Sequence, residues 1–222
     1  DFAFRLLTGA GVAADIARDV AGVLVAGDLL GHTTHGLALL AAYLGEIEKG
    51  RMMKAGAPDI VSSRPASQTW EGRRLPGPWL TLRALDAAMA MAAREGTGTV
   101  VVRRSHHIAC LAAYLKRATD AGMMALVYSS DPAACSVAPF GAVTPVFTPN
   151  PLAAGIPTSG DPILLDVSAS YTTNGLTNRL HANGERLPHA WLQDAQGNAT
   201  DDPAVLFAEP KGTLLPRGGH DA

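Results

Sequence analysis

The chain has 222 residues, 47% of them hydrophobic and 17% charged, with a formal net charge of −2. That is the composition of a packed globular protein, and it argues against disorder. The weak net charge gives no electrostatic reason to expect nucleic acid or an anionic membrane as a partner, and no apolar run reaches 18 residues.

The opening residues, Asp1 to Arg5, lack the order of a signal peptide and read as the inside of a helix. After the turn Gly9-Ala10-Gly11, the three- and four-residue spacing of Val12, Ile16, Val20, Val23 and Leu24 predicts a helix over 12–30. Leu39, Leu40, Tyr43, Leu44 and Ile47 predict a second over 37–48, stopped at Gly50. Residues 55–79 carry proline and glycine, with β-like runs at 59–63 and 67–70, and read as a connection between two domains. An Ala/Met-rich helix is expected over 80–94, then a strand over 99–102, a helix over 111–121 and a strand over 123–128. This alternation predicts α/β layers. Residues 131–160 hold too many prolines for one long helix. A strand is expected at 163–167 and a helix within 169–182, although Asn174-Gly175 weakens it; the tail beyond 183 reads as turns. Cys110 and Cys135 read as small buried hydrophobes in a reducing compartment, not as a disulfide scaffold. Asn198-Ala199-Thr200 fits a glycosylation sequon, a triplet common by chance.

Four segments carry residues suited to chemistry. Gly31-His32-Thr33-Thr34-His35-Gly36 lies between two predicted helices. Imidazole is the side chain best matched to proton transfer near neutral pH. The alternative is a helix–helix turn with its own caps. Ser105-His106-His107 follows a predicted strand, where α/β proteins place ligand groups; its alternative is a polar loop. Thr148-Pro149-Asn150-Pro151 holds an amide in a restricted backbone, or is simply a turn. Asp166 and Ser168 close the strand at 163–167, as ligand groups or as helix caps. No G-x-G-x-x-G, P-loop or G-x-S-x-G motif occurs, so a Rossmann site is not supported. A rival reading puts Asp28, His32 and His35 on one helix face, with His106 or His107 completing a metal site; Gly31 and Gly36 oppose it, and no metal ligand is assigned.

Together these segments resemble the non-Rossmann malate/L-lactate dehydrogenase family that includes ureidoglycolate dehydrogenase, 2,3-diketogulonate reductase, L-sulfolactate dehydrogenase and Δ1-piperideine-2-carboxylate reductase. Asp28 to Tyr43 resembles "ADxRGxxSHG…Y", and Val100 to Tyr114 resembles "VxxSxHxGxxxYY". Pro139-Phe140-Gly141 with Asn150 to Ala153 resembles "PxGG…GTNPxAxAxP", Leu165 to Ser170 resembles "xDMATS", and Leu214 to His220 resembles "LLPxGGHKGYG". The resemblance implies an α/β fold: a non-Rossmann NAD(P)-binding mixed-sheet domain plus a mainly helical N-terminal part, L-sulfolactate dehydrogenase-like. Residues 1–75 would be the helical part of a substrate and dimerisation domain, and 76–222 the cofactor domain and the start of a return segment. The C-terminal remainder and part of the first helix would be missing.

The implied function is hydride transfer between NAD or NADP and a small 2-oxo or 2-hydroxy acid, or a related cyclic imine, in a cytoplasmic homodimer. The expected partner is a small-molecule substrate, with no nucleic acid and no membrane. By the same matching, His35 and His107 are the candidate proton-transfer residues, Thr34 a substrate contact, and Asp166 an orienting group. Ser130, Asn150, Leu165, Asp166 and Ser168 would line the cofactor. Three positions depart from the family pattern: Leu39 stands where many members carry arginine, Thr148-Pro149 replaces a glycine-containing step, and Leu176 replaces a lysine. A metal-dependent hydrolase and a non-catalytic member of the same fold are the alternatives.

Overall fold

The structure, a computed structural model, describes residues 1–131 and 133–218. The described residues form two compact units, one within 1–125 and 154–164, the other within 126–153 and 165–218. Helices and three small sheets make a mixed α/β architecture, and no described sheet is a doubly wound parallel one.

The first unit begins with α1 (Phe2–Gly9), which agrees with the helical reading of the opening residues. In α2 (Ala14–Leu29), Ile16, Ala17, Val20, Ala21, Val23 and Leu24 form the buried stripe that the spacing predicts. It stops before Gly31, whose φ of +85° suits a residue without Cβ. A short 3₁₀ turn over Leu37–Leu39 then leads into α3 (Leu40–Glu48), which buries Leu40, Tyr43 and Ile47.

Strands β1 (Asp59–Arg64) and β2 (Ser67–Glu71) pair as an antiparallel hairpin, and β2 runs parallel to β3 (Thr99–Arg103). The crossover between β2 and β3 is α4 (Gly77–Glu95). It starts three residues before the sequence expectation, because Pro78 occupies the first turn, where its missing N–H costs nothing. Thus 72–79 is packed structure, not a linker. The compact units also cut the chain differently from the 75/76 division, since β2 and β3 share a sheet across that point.

Helix α5 (Ala112–Thr119) is followed by β4 (Ala125–Tyr128), β5 (Leu152–Ile156) and β6 (Ile163–Val167), which form a sheet in the order β4-β5-β6. β5 was not expected. Its residues, Leu-Ala-Ala-Gly-Ile, are small at the centre and carry one β-branched side chain, because α5 packs close: a Cβ on Gly155 would lie 3.0 Å from Leu115 and from Thr119.

In the second unit, α6 (Asn174–Asn183) is capped by the Thr173 hydroxyl, which accepts from Leu176 N–H at 3.2 Å. Asn174-Gly175 sits in its first turn and does not break it. The tail expected to be turns contains β7 (Leu192–Gln193), β8 (Ala199–Thr200) and β9 (Thr213–Leu214) around a core of Val137, Leu187, Leu192 and Leu214. Two-residue strands carry too little periodicity to be read from sequence. Neither cysteine is in a disulfide; Cys110 is buried as expected, but Cys135 is exposed, because it lies outside the helices and strands and not in the core. No described helix is long and apolar enough to cross a membrane.

Gly77, in the first turn of α4, has no room for a side chain: a Cβ would overlap the carbonyl oxygens of His106 and His107. Gly77→Ala should therefore destabilise the protein by about 1–3 kcal/mol through overpacking. Urea denaturation checks this, and an unchanged midpoint would count against the close approach.

Candidate active site

Asp28, in the last turn of α2, accepts a hydrogen bond at Oδ2 from Leu37 N–H at 2.9 Å and so caps the following 3₁₀ turn. Its carboxylate fills the space where a Cβ on Gly36 would project. Gly36 is thus needed directly after His35. On the other side, a Cβ on Gly27 would come within 2.9 Å of His35 O. These contacts fix the 32–36 turn. They also dispose of the helical metal face: α2 ends at Leu29, so Asp28, His32 and His35 do not lie on one helix.

The 103–109 loop is fixed from below. Glu71, 6% exposed at the end of β2, accepts from Arg73 N–H at 3.0 Å, Arg103 Nε at 3.1 Å and Arg104 Nε at 2.9 Å. The Arg73 N–H, and then the Arg104 and Arg103 guanidiniums, hold its carboxyl below the usual range against the opposing effect of burial. Gly72 N–H donates to Arg103 O, Arg74 N–H to Arg104 O, and His106 N–H to Leu75 O. Arg73, Arg74 and Arg104 all adopt left-handed φ, between 51° and 57°. Such backbone is unfavourable for arginine and is kept only where surrounding bonds over-determine it. Farther along, the Tyr114 hydroxyl, fully buried, donates to Ile108 O.

The result is a histidine pair within the first unit. The rings of His35 and His107 lie 5.8 Å apart between centroids, at 25° to one another. Thr34 Oγ1 is 2.9 Å from His35 Nδ1. Tyr43, 2% exposed on α3, places its hydroxyl 3.0 Å from His107 Nδ1 and donates to His107 O at 3.1 Å. Ala109 N–H, on a residue with φ of 58°, donates to the same Nδ1 at 3.2 Å. Burial keeps the Tyr43 hydroxyl protonated.

This edge of His107 is provided for in both protonation states. A neutral ring protonated on Nε2 accepts at Nδ1 from Ala109 N–H, and one protonated on Nδ1 donates to Tyr43 Oη. The imidazolium donates Nδ1–H to Tyr43 Oη, whose own proton remains on His107 O. Both rings cannot charge cheaply together: two unit charges 5.8 Å apart repel by about 3 kcal/mol at an effective dielectric near 20. Repulsion therefore disfavours the doubly charged pair.

His106 takes a different role from its neighbour. Its Nε2 lies 3.7 Å from Glu46 Oε2, its Nδ1 is buried without a hydrogen-bond partner, and its ring meets Tyr43 edge-on. Burial pushes its pKa down despite Glu46. Glu46 is itself pulled down to about 2, first by its hydrogen bonds with Arg51.

In the second unit, Ser130 Oγ donates to Asn150 Oδ1 at 2.8 Å, so the Asn150 NH₂ is the end left to donate. Asn150 has φ of 42°, a conformation asparagine tolerates better than most residues. Its flanking prolines are anchored, Pro149 O accepting from Ala169 N–H and Pro151 O from Ser129 N–H. Leu165, 45% exposed, and half-buried Asp166 stand in β6. Ser168 Oγ donates to Ser170 O at 2.7 Å. Neither Asp166 nor Ser168 caps α6, because the helix begins at Asn174 and Thr173 does so. The Leu214 to His220 segment reaches residues 219 and 220, which lie outside the described ones.

Two participants went unrecognised in the sequence. Tyr43 was legible as a buried helix residue and as the end of a motif, but not as the partner of His107, 64 positions away. Glu71 had only the signal of an acid closing a strand.

The model of the malate/L-lactate dehydrogenase family matches residues 1–221. The chain belongs to that family. It is 32% identical to an L-lactate dehydrogenase of Cupriavidus necator over 97% of this chain and 62% of the relative. It is 28% identical to a Δ1-pyrroline-2-carboxylate reductase of Ancylobacter novellus over 96% of this chain and 62% of that one. The crystal structure of malate dehydrogenase from Entamoeba histolytica superposes with a TM-score of 0.93 at 28% identity, covering 99% of this chain and 62% of that one. The chain thus spans about three fifths of the length of these relatives. The likeness bears out the family and the L-sulfolactate dehydrogenase-like fold class, and nothing in it supports a metal-dependent hydrolase.

The Glu46–Arg51 pair yields a pH prediction. A carboxyl with a depressed folded pKa stabilises the fold above its unfolded value, here 4.5, and that contribution is lost as pH falls toward about 2. Glu46→Gln should therefore lower the denaturation midpoint at pH 7, and the deficit should narrow between pH 4.5 and 2. A deficit that is constant across this range would mean that the charge contributes nothing.

Proposed function

We propose that the protein is an NAD(P)-dependent oxidoreductase that interconverts a small 2-oxo acid, or related cyclic imine, with the 2-hydroxy or saturated compound. The observation that carries this reading is the His35–His107 pair, with Tyr43 and Ala109 on the inner nitrogen of His107. A carbonyl reduced by hydride needs a proton on its oxygen, delivered from a fixed donor. In this reading His107 is that donor. The imidazolium releases its Nε2 proton to the carbonyl oxygen and becomes a neutral ring still bonded through Nδ1–H to Tyr43. His35, oriented by Thr34, stays neutral and hydrogen-bonds the same ligand. In the oxidative direction His107 takes the hydroxyl proton back.

The second unit's residues suit a dinucleotide by their chemistry. Asn150 offers a fixed amide donor in a left-handed turn, Leu165 an exposed apolar surface, and Asp166 a carboxylate that accepts from a hydroxyl or carboxamide. We assign cofactor binding to these with Ser130 and Ser168. A bound nicotinamide would supply the hydride. The assignment covers either NAD or NADP, in a homodimer, as the resemblance implies.

Two results test this on the whole protein. Mixing it with NADH or NADPH should quench and blue-shift the nicotinamide fluorescence, and no binding of either would sink the reading. His107→Ala and His35→Ala should each cut turnover of 2-oxo acids by about 10²-fold or more, with the folded spectrum retained. His106→Ala should cost much less; an equal loss would mean that the wrong member of the pair carries the proton.

A further inference from the structure

Glu71 gathers more positive charge than it neutralises. Its Oε2 accepts from Arg103 Nε at 3.1 Å and from Arg104 Nε at 2.9 Å, so one oxygen draws two guanidiniums together. Both bonds use Nε. Among the described residues neither arginine donates to a protein acceptor through an Nη atom, and their side chains are 58% and 70% exposed. Two guanidinium edges thus face water from a fixed position. The neighbouring turn adds to the excess. Arg74 N–H donates to Arg104 O at 2.8 Å, which holds residue 74 beside the pair. Its charge is felt on the histidine loop: after burial, Arg74 and Arg51 help to push the His106 pKa down against Glu46. Arg73 reaches Asp59 at 3.7 Å, whereas the Arg74 side chain has no ion pair among the described residues. The four arginines therefore share two carboxylates, in a chain whose formal net charge is −2. Arg73, Arg74 and Arg104 also sit at left-handed φ, which glycine would adopt more easily. The backbone alone does not call for arginine there.

We propose that Arg103 and Arg104, with Arg74 beside them, form a binding site for a dianionic phosphate group. A guanidinium edge matches two phosphate oxygens, and a dianion would offset the charge that Glu71 and Asp59 leave over. Fixing each arginine through Nε restricts its rotamers before the ligand arrives, so less freedom is lost on binding. The same two arginines open the loop that carries His107, so a phosphate bound to them would hold that loop in its bonded shape. The site does not depend on the proton chemistry assigned to the histidines.

The test is calorimetric titration and thermal unfolding of the whole protein with potassium phosphate, against potassium chloride at matched ionic strength. Phosphate should bind saturably and raise the unfolding midpoint, and chloride should not. Arg104→Lys keeps a charge beside Glu71 but loses the second edge, and should weaken phosphate binding about tenfold. Arg74→Gln removes no ion pair from the fold and should weaken it about threefold, which reads the site even if the Arg104 variant does not fold. Repeating the titration with NADH or NADPH present distinguishes the sources of the group. Competition with either dinucleotide identifies a phosphate of the cofactor, and competition with neither identifies a free or metabolite phosphate. Phosphate that acts no better than chloride, or that binds both variants as tightly as the wild type, overturns the proposal.

Discussion

One edge of one imidazole ring constrains most of the first unit. His107 Nδ1 meets a hydroxyl that can accept its proton and a backbone N–H that can donate to its lone pair, Tyr43 at 3.0 Å and Ala109 at 3.2 Å. To supply that hydroxyl, α3 must bury Tyr43 at 2% exposure and run close to the 103–109 loop. To supply that N–H, Ala109 must hold a left-handed φ. The loop keeps this shape because Glu71 gathers Arg73, Arg103 and Arg104 beneath it, Tyr114 anchors Ile108, and α4 begins on a glycine that lets it touch the histidine backbone. Much of the polar economy of this unit therefore serves the placement of a single side chain.

What could be read from the sequence divides along physical lines. Helices with long apolar stripes, such as 14–29, declared themselves, and so did the strand at 163–167. The start of α4 was hidden by Pro76 and Pro78, which signal a loop unless the first-turn tolerance for proline is applied. β5 was hidden because its side chains are small to admit α5. His35, His107 and Thr34 were singled out by the family resemblance, because local spacing alone left both histidine segments open to a capping turn or a polar loop, and the structure brings the His35 and His107 rings to 5.8 Å. Tyr43 and Glu71 act across 64 and 32 positions, and no local pattern reports a partner at that distance. The two histidines were expected to divide between domains; both lie in the first unit, because the β2–α4–β3 crossover belongs with the N-terminal helices.

The chain belongs to the malate/L-lactate dehydrogenase family, and its own residues fix the geometry of the histidine pair. Gly36 is required by Asp28, so the histidine turn is rigid. The wall beyond it, from Leu37 to Gly45, is hydrocarbon apart from the Tyr43 hydroxyl already bonded to His107.

The central claim is that His107, held by Tyr43, is the proton donor. Its most direct test is the pH profile of kcat for 2-oxo acid reduction, measured for the wild type and for Tyr43→Phe. Reduction needs the imidazolium, so the wild-type rate should be flat at low pH and fall as pH rises through the His107 pKa. Phenylalanine removes the acceptor for Nδ1–H of the charged ring, so the fall should move to lower pH. A limb that stays where it was would contradict the account.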